Sequence, residues 1–272
     1  MKFVTKLAEI TRGNKSLVCV GLDPDLERMP EGIGVFEFNR DIIDATRDLV
    51  CAYKPNFAFY EAMGDEGMEA LKKTVEYIPD NIPVIADAKR GDISNTSKAY
   101  ARAIFDHFGF DAVTVSPYLG FDSLEPFIQY QDKGVFILCR TSNPGAADFQ
   151  SLRCETDDDS RFLYEIVAQK ASEWNTRGNI CLVVGATYIE ELKVIRERYP
   201  NMSLLIPGIG AQGGDLAKVV CYGIDADGGG AVINSSRGII YASKGKDFAQ
   251  AARRAAVLLR EQINSFLTTS NP

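Results

Sequence analysis

Residues Pro83–Ile93 read P-V-I-A-D-A-K-R-G-D-I. The stretch opens as a short apolar run with β-branched Val84 and Ile85. A buried parallel strand reads this way, with little alternation, because both of its faces are covered. Charge then arrives at once in Asp87, Lys89, Arg90 and Asp92. Side chains i and i+2 of a strand point the same way, roughly 7 Å apart along it. A strand reaching Lys89 therefore puts Asp87 and Lys89 on one face, and Gly91 permits a turn that brings Asp92 round the strand end. Two carboxylates and an ammonium at the mouth of an apolar strand are costly to desolvate unless they pair. One reading is a structural ion pair. The other is a charged catalytic array at the C-terminal end of a barrel strand, where barrel enzymes keep their chemistry.

Working outward, the chain offers seven more strand candidates: Leu17–Leu22, Ala52–Phe59, Ala112–Ser116, Val135–Cys139, Ile180–Val184, Ser203–Pro207 and Ala231–Ser235. With Val84–Lys89 they make eight. Segments of helical period or composition lie between them, among them Phe36–Val50, Glu66–Tyr77, Ser94–Phe108, Arg161–Trp174, Ile189–Tyr199 and Gly214–Cys221. A closing helix runs from Phe248 to about Phe266. Alternating strands and helices call for a parallel sheet. Eight units within 272 residues favour a closed α/β (β/α)8 TIM barrel, read as one domain over 1–272, since no linker or low-complexity boundary divides the chain. The segment between Cys139 and Ile180 is longer than a barrel needs. Its acidic run, Glu155–Asp159, reads as a solvated loop and helix start.

Composition narrows the function classes. The content is 46% hydrophobic and 25% charged, ordinary for a globular protein. A net charge of −7 argues against a general nucleic-acid surface but not against a small anionic ligand. No apolar run reaches the length of a membrane span, and the N-terminal M-K-F-V-T-K-L-A-E-I lacks a signal-peptide pattern. Six cysteines without a C-x-x-C pair argue against a zinc ribbon, and cysteines in strand-like runs fit a reducing cytoplasm. His107 is the single histidine. Any serine–histidine or cysteine–histidine chemistry would rest on it alone, so proton transfer falls to lysine or carboxylate.

In a barrel, side chains at strand ends converge on one pocket. The first strand supplies Asp23 and Asp25 in G-L-D-P-D, the second Lys54 in Y-K-P-N, and the third Asp87, Lys89 and Asp92. The fifth supplies Ser142 in T-S-N-P-G. The seventh carries I-P-G-I-G-A-Q-G-G-D with Pro207 and Gln212, and the eighth N-S-S-R-G with Arg237. Loops after strands seven and eight of barrels often bind phosphate through backbone N–H groups. Glycines 208, 210, 213 and 214 let backbone approach an anion, and Arg237 can add a bidentate contact. A Gly-rich loop alone is ordinary turn chemistry; its place at strand seven, followed by an arginine, makes it more specific. In the early half, Lys54 faces Asp87, Lys89 and Asp92. A lysine among carboxylates stays protonated, which suits donating a proton to a carbanion rather than forming a Schiff base. Asp25 follows a proline and reads as the cap of the next turn.

These motifs together resemble the orotidine 5'-phosphate decarboxylase family. D-A-K-R-G-D-I is very like its D-x-K-x-x-D signature, in the form with K-R-G between the aspartates. V-G-L-D-P-D, Y-K-P-N, T-S-N-P-G, P-G-I-G-A-Q-G-G-D and S-S-R-G follow in the family's order, from Leu17 to Ala242. The resemblance implies a lyase that decarboxylates orotidine 5'-phosphate to UMP, the last step of de novo pyrimidine synthesis, without metal or cofactor. It implies a charged tetrad of Lys54, Asp87, Lys89 and Asp92, with Lys89 protonating the pyrimidine carbon that loses carbon dioxide. It places Asp23 and Lys54 on ribose hydroxyls, Ser142 on the pyrimidine, and Gln212 and Arg237 on the phosphate. Pro207 would open a mobile loop over the phosphate. It also implies a homodimer with shared sites, in which Asp92 and Thr96 reach the neighbouring subunit's ligand. Two rivals stand beside it. A keto-sugar phosphate decarboxylase or hexulose phosphate synthase on the same barrel would use magnesium. A non-catalytic nucleotide-binding barrel would have no reason to keep four desolvated charges together.

Overall fold

A computed structural model of the chain describes residues 1–155, 160–209 and 215–269. The strands are β1 (Val18–Leu22), β2 (Ala52–Pro55), β3 (Ile85–Arg90), β4 (Ala112–Val115), β5 (Gly134–Arg140), β6 (Arg153–Glu155), β7 (Ser160–Phe162), β8 (Ile180–Val184), β9 (Leu204–Pro207) and β10 (Ala231–Ser235). The α-helices are α1 (Phe3–Asn14), α2 (Val35–Thr46), α3 (Phe57–Glu61), α4 (Gly64–Tyr77), α5 (Ser94–Arg102), α6 (Phe121–Ile128), α7 (Leu163–Trp174), α8 (Ile189–Arg198), α9 (Leu216–Gly223), α10 (Arg237–Ile240) and α11 (Phe248–Thr269). Eight strands form one parallel sheet in the order β2-β1-β10-β9-β8-β5-β4-β3. Two isolated parallel bridges, Tyr53↔Val84 and Asn56↔Asp87, bring β2 to β3 and nearly close the barrel. The expected (β/α)8 barrel is therefore present, and its thinnest seam lies between the two strands that carry Lys54 and Asp87.

The strands are buried on both faces, which is why they read as apolar runs. Every residue of β1, β2, β4, β8 and β10 is buried. Each buried Val, Leu or Ile side chain contributes about 1.5–3 kcal/mol relative to exposure. The bottom of the barrel is plugged by α1, an element with no counterpart in the sequence reading. Phe3 packs edge-on against Phe136 with ring centroids 5.6 Å apart. Gly134 makes this possible, since a Cβ there would sit 2.4 Å from the Phe3 ring. The loop holding Gly228 and Gly230 lies at this same end, beside Lys15 and Ser203.

Three boundaries differ from the sequence reading. The second strand stops at Pro55 rather than Phe59, because Asn56 accepts the Ala58 N–H at 3.2 Å and caps α3. Phe57 and Tyr60 then go into the core as a helical pair instead of alternating. The helix begun at Ser94 changes to a π-turn over Ala103–His107, with His107 exposed. In the long segment after β5, Glu155 is the last residue of β6 and pairs with Ser160 of β7 in an antiparallel hairpin. Of the acidic run only Glu155 is among the described residues, and α7 begins at Leu163. Residues 156–159 lie outside the described ones. Cys19, Cys139 and Cys181 are buried free thiols inside strands, as expected of small hydrophobes. Among the described residues no helix is long and apolar enough to cross a membrane.

Candidate active site

At the C-terminal ends of the barrel strands, Asp87 is clamped between two ammonium groups. Lys54 Nζ lies 2.8 Å from its Oδ2 and Lys89 Nζ 2.5 Å from its Oδ1. The Lys54 side chain is 4% exposed and Asp87 11%, while Lys89 is 52% exposed. Burial alone would drive the Lys54 ammonium towards neutrality. Asp87 and then Asp23 outweigh that and hold its pKa above the ordinary lysine value. Burial would likewise raise Asp87, but Lys54 and Lys89 outweigh it and hold the carboxyl well below the usual range. Lys54 and Asp87 are therefore both charged at neutral pH.

The backbone that presents them is irregular. Between Ala86↔Val113 and Arg90↔Val115 the β3–β4 register shifts. Lys89 takes φ +46°, and Ser94 on the same connection φ +44°. A left-handed residue with a Cβ costs about 1–2 kcal/mol, and such strain gathers at functional sites. The left-handed position is thus Lys89 and not Gly91, contrary to the turn expected there. Gly91 is required for space instead, because a Cβ would stand 2.7 Å from the Ser116 carbonyl oxygen. Arg90 points away from the pocket, paired with Glu61 and stacked over Phe57 and Tyr100.

Two connected cavities meet at this cluster. One, of about 490 Å³, is lined by Lys54, Asp87, Lys89, Thr114, Ser142 and Phe149 among others. The other, of about 180 Å³, is lined by Asp23, Asn234, Ser236 and Arg237 together with Lys54, Asp87, Ser142 and Pro207. Asp23 Oδ1 and Asn234 Oδ1 are buried there without a hydrogen-bond partner. Buried polar atoms are normally paired, so two orphaned acceptors beside a cavity await donors from a ligand. Arg237 is exposed at the start of α10 and makes no ion pair among the described residues. Close approach of β1 to the loop after β10 depends on Gly21, whose Cβ would overlap Ser236 Oγ.

Most of the residues singled out in the sequence come together: Asp23, Lys54, Asp87, Lys89, Ser142, Pro207 and Arg237 all line these two cavities. Asp92 and Thr96 do not. Asp92 Oδ1 accepts the Ile93 N–H at 2.8 Å, and Thr96 is exposed on α5. Gln212, with Gly210, Gly213 and Gly214, lies outside the described residues. Asp25 caps its turn as expected, accepting the Glu27 N–H at 3.1 Å.

Several participants escaped the sequence reading. Tyr241 accepts the Asp25 N–H at 2.6 Å and donates to the Asp23 carbonyl at 2.8 Å, pinning the loop after β1; burial pushes its hydroxyl up to about 12. Arg140 is buried at the end of β5, stacked 3.4 Å over the Tyr188 ring and 3.6 Å from Glu191. Gln150 ties down the same loop by accepting the Thr141 N–H and donating to Thr141 Oγ1, both at 2.8 Å. Only the arginine's place after a strand could have signalled it.

Residues 16–255 match the family described as "Orotidine 5'-phosphate decarboxylase / HUMPS family". A protein of Dehalococcoides mccartyi named orotidine 5'-phosphate decarboxylase is 59% identical over 266 residues, covering 98% of both chains. One of the same name from Herpetosiphon aurantiacus is 51% identical over 259 residues, 93% of this chain and 95% of that one. The solved structure of Leishmania donovani OMP decarboxylase superposes with a TM-score of 0.86 at 42% identity, over 98% of this chain and 100% of that chain.

Proposed function

The chain belongs to the orotidine 5'-phosphate decarboxylase family, and from that premise we propose that Lys89 is the group that protonates the substrate within a Lys54–Asp87–Lys89 array completed by Asp92. The enzyme is a carboxy-lyase of pyrimidine biosynthesis, turning orotidine 5'-phosphate into UMP and carbon dioxide. The observation that carries the residue assignment is the single buried carboxylate held between two ammonium groups at the junction of the two cavities.

In this reading the larger cavity takes the pyrimidine against Ser142 and the smaller takes the ribose phosphate. The orphaned Asp23 oxygen accepts a ribose hydroxyl, with Lys54 beside it. Arg237 grips the phosphate together with Gln212, and Pro207 begins the loop that closes over it. The bond from carbon 6 to the carboxylate breaks, carbon dioxide leaves, and the electron pair stays on carbon 6. The Lys89 ammonium stabilises that carbanion and gives it a proton, then regains one from solvent. Asp87 faces the substrate carboxylate; two like charges about 4 Å apart repel by roughly 1–4 kcal/mol between aqueous and protein-surface dielectrics, and departure of carbon dioxide relieves this.

The assembly is a homodimer in which Asp92 and Thr96 serve the ligand of the second copy. Supporting this, both lie outside their own pocket. Ile93, Tyr118, Leu119 and Phe121 are also large apolar residues left exposed. The site works without metal or cofactor, in the cytoplasm, on a small-molecule substrate rather than nucleic acid. The test is the loss of orotidine 5'-phosphate absorbance with and without EDTA, for wild type and Lys89→Ala. Rapid EDTA-insensitive conversion by the wild type alone is expected. Conversion that needs magnesium, or near-normal turnover by Lys89→Ala, overturns the proposal.

A further inference from the structure

We infer that Thr114, on the strand next to the charged array, is a positioning residue that sets the Lys89 backbone and the Asp87 carboxylate with one fully committed hydroxyl. The inference rests on the roles proposed for Lys89 and Asp87. Its starting point is the irregularity in β3. From Ala86↔Val113 to Arg90↔Val115, β3 advances four residues while β4 advances two. The surplus residues bulge towards the pocket, and a bulge takes their amides out of the ladder. Buried amides without partners are destabilising, so something must receive them.

Thr114 Oγ1 does so. It accepts the Ala88 N–H at 3.1 Å and the Lys89 N–H at 3.0 Å. A threonine hydroxyl has two acceptor sites and one proton. Both acceptor sites are thereby filled, and the proton points to Asp87 Oδ1 at 3.1 Å, in preference to the Ala86 carbonyl at 3.5 Å. Asp87 Oδ1 is also the oxygen that meets Lys89 Nζ, which leaves Oδ2 to Lys54. Thr114 itself is buried, yet it lines the larger cavity. One side chain thus fixes three things together. It holds Lys89 in its left-handed conformation. It aims the Lys89 Cα–Cβ bond into the pocket. It assigns the two Asp87 oxygens to different lysines. The methyl group of Thr114 takes no part in these bonds; serine supplies the same hydroxyl and valine the same shape without it.

Because Thr114 acts through Lys89 in the step that follows binding, its loss should fall on kcat rather than on KM. Misplacing a reacting group by about 1 Å can cost on the order of 100-fold in rate. Thr114→Val is therefore expected to lower kcat at least about tenfold while KM stays within about threefold, and Thr114→Ser to keep kcat within about threefold of wild type. Both are measured beside Lys89→Ala, with thermal unfolding to establish that each variant is folded. Should Thr114→Val not fold, Thr114→Ala against Thr114→Ser carries the same comparison. Wild-type kcat in folded Thr114→Val, an equal fall in the serine and valine variants, or a loss expressed in KM alone would each overturn the inference. Lys89→Ala separates the two levels. Its inactivity beside a fully active Thr114→Val sinks only the role of Thr114. Its near-normal activity sinks the role of Lys89 and this inference with it.

Discussion

Replacing Asp87 by asparagine removes one charge and almost no volume, so its consequences can be worked from the geometry. Asp87 is the direct partner of both ammonium groups, at 2.8 Å and 2.5 Å. Lys89 is half exposed and water can take over its charge. Lys54 is buried, and without Asp87 its remaining carboxylate partner among the described residues is Asp23. Breaking a buried pair by removing one partner destabilises by about 3–5 kcal/mol. Asp87→Asn should therefore lower the urea midpoint by an equivalent amount with an unchanged m-value. Replacing both partners with apolar residues removes the orphaned ammonium, although Asp23 then loses Lys54, so Lys54→Met/Asp87→Leu should recover most of that loss. The pH dependence has a definite sign. Asp87 has its pKa depressed in the folded protein, so its contribution is complete above the ordinary aspartate value of about 3.9 and is lost as pH falls below that. Lys54 is the opposite case, with a raised pKa, and contributes fully below the ordinary lysine value of about 10.4, losing its share only as pH rises through the folded value. The wild type should thus lose stability below about pH 4 more steeply than Asp87→Asn does. An Asp87→Asn protein within about 1 kcal/mol of wild type at pH 7, with a parallel acid limb, would refute the reasoning.

Three further outcomes are expected. Arg237→Ala should raise KM at least about tenfold, since a hydrogen bond to a charged group contributes about 1.5–3 kcal/mol; an unchanged KM would move the phosphate elsewhere. Mixing Asp92→Asn with Lys89→Ala should restore part of the activity in proven heterodimers, because one of the two sites then holds both native groups; no recovery would mean self-contained sites. Gly185→Ala should destabilise by about 1–3 kcal/mol through overpacking and weaken binding on the pyrimidine side. Its Cβ would stand 2.8 Å from the Ser142 backbone nitrogen and 2.9 Å from its Cα, and wild-type stability and KM would show that this loop shifts freely.

The sequence by itself determined the barrel and most of the pocket. Eight apolar runs separated by helical segments admit few architectures, and side chains at strand ends converge whatever the details of packing. Lys54, Asp87 and Lys89 were legible because charge at the end of a doubly buried strand needs either a partner or a use. The second strand's end was misjudged because Phe57 and Tyr60 are equally apolar in a strand or a capped helix, and only Asn56 tips the choice. The β6–β7 pair was not read because three-residue strands leave almost no periodicity. What only the tertiary structure decided is how the charges are held. The two-residue excess in β3, the left-handed Lys89, and the hydroxyl of Thr114 that receives the displaced amides arise from the register between two strands, with Lys89 and Thr114 25 positions apart in sequence. The seam at β2 and β3, the orphaned oxygens of Asp23 and Asn234, and the Tyr241 clamp on the first loop belong to the same class. Local pattern records which face a side chain takes. It does not record which distant group will stand opposite, because that is set when the sheet closes.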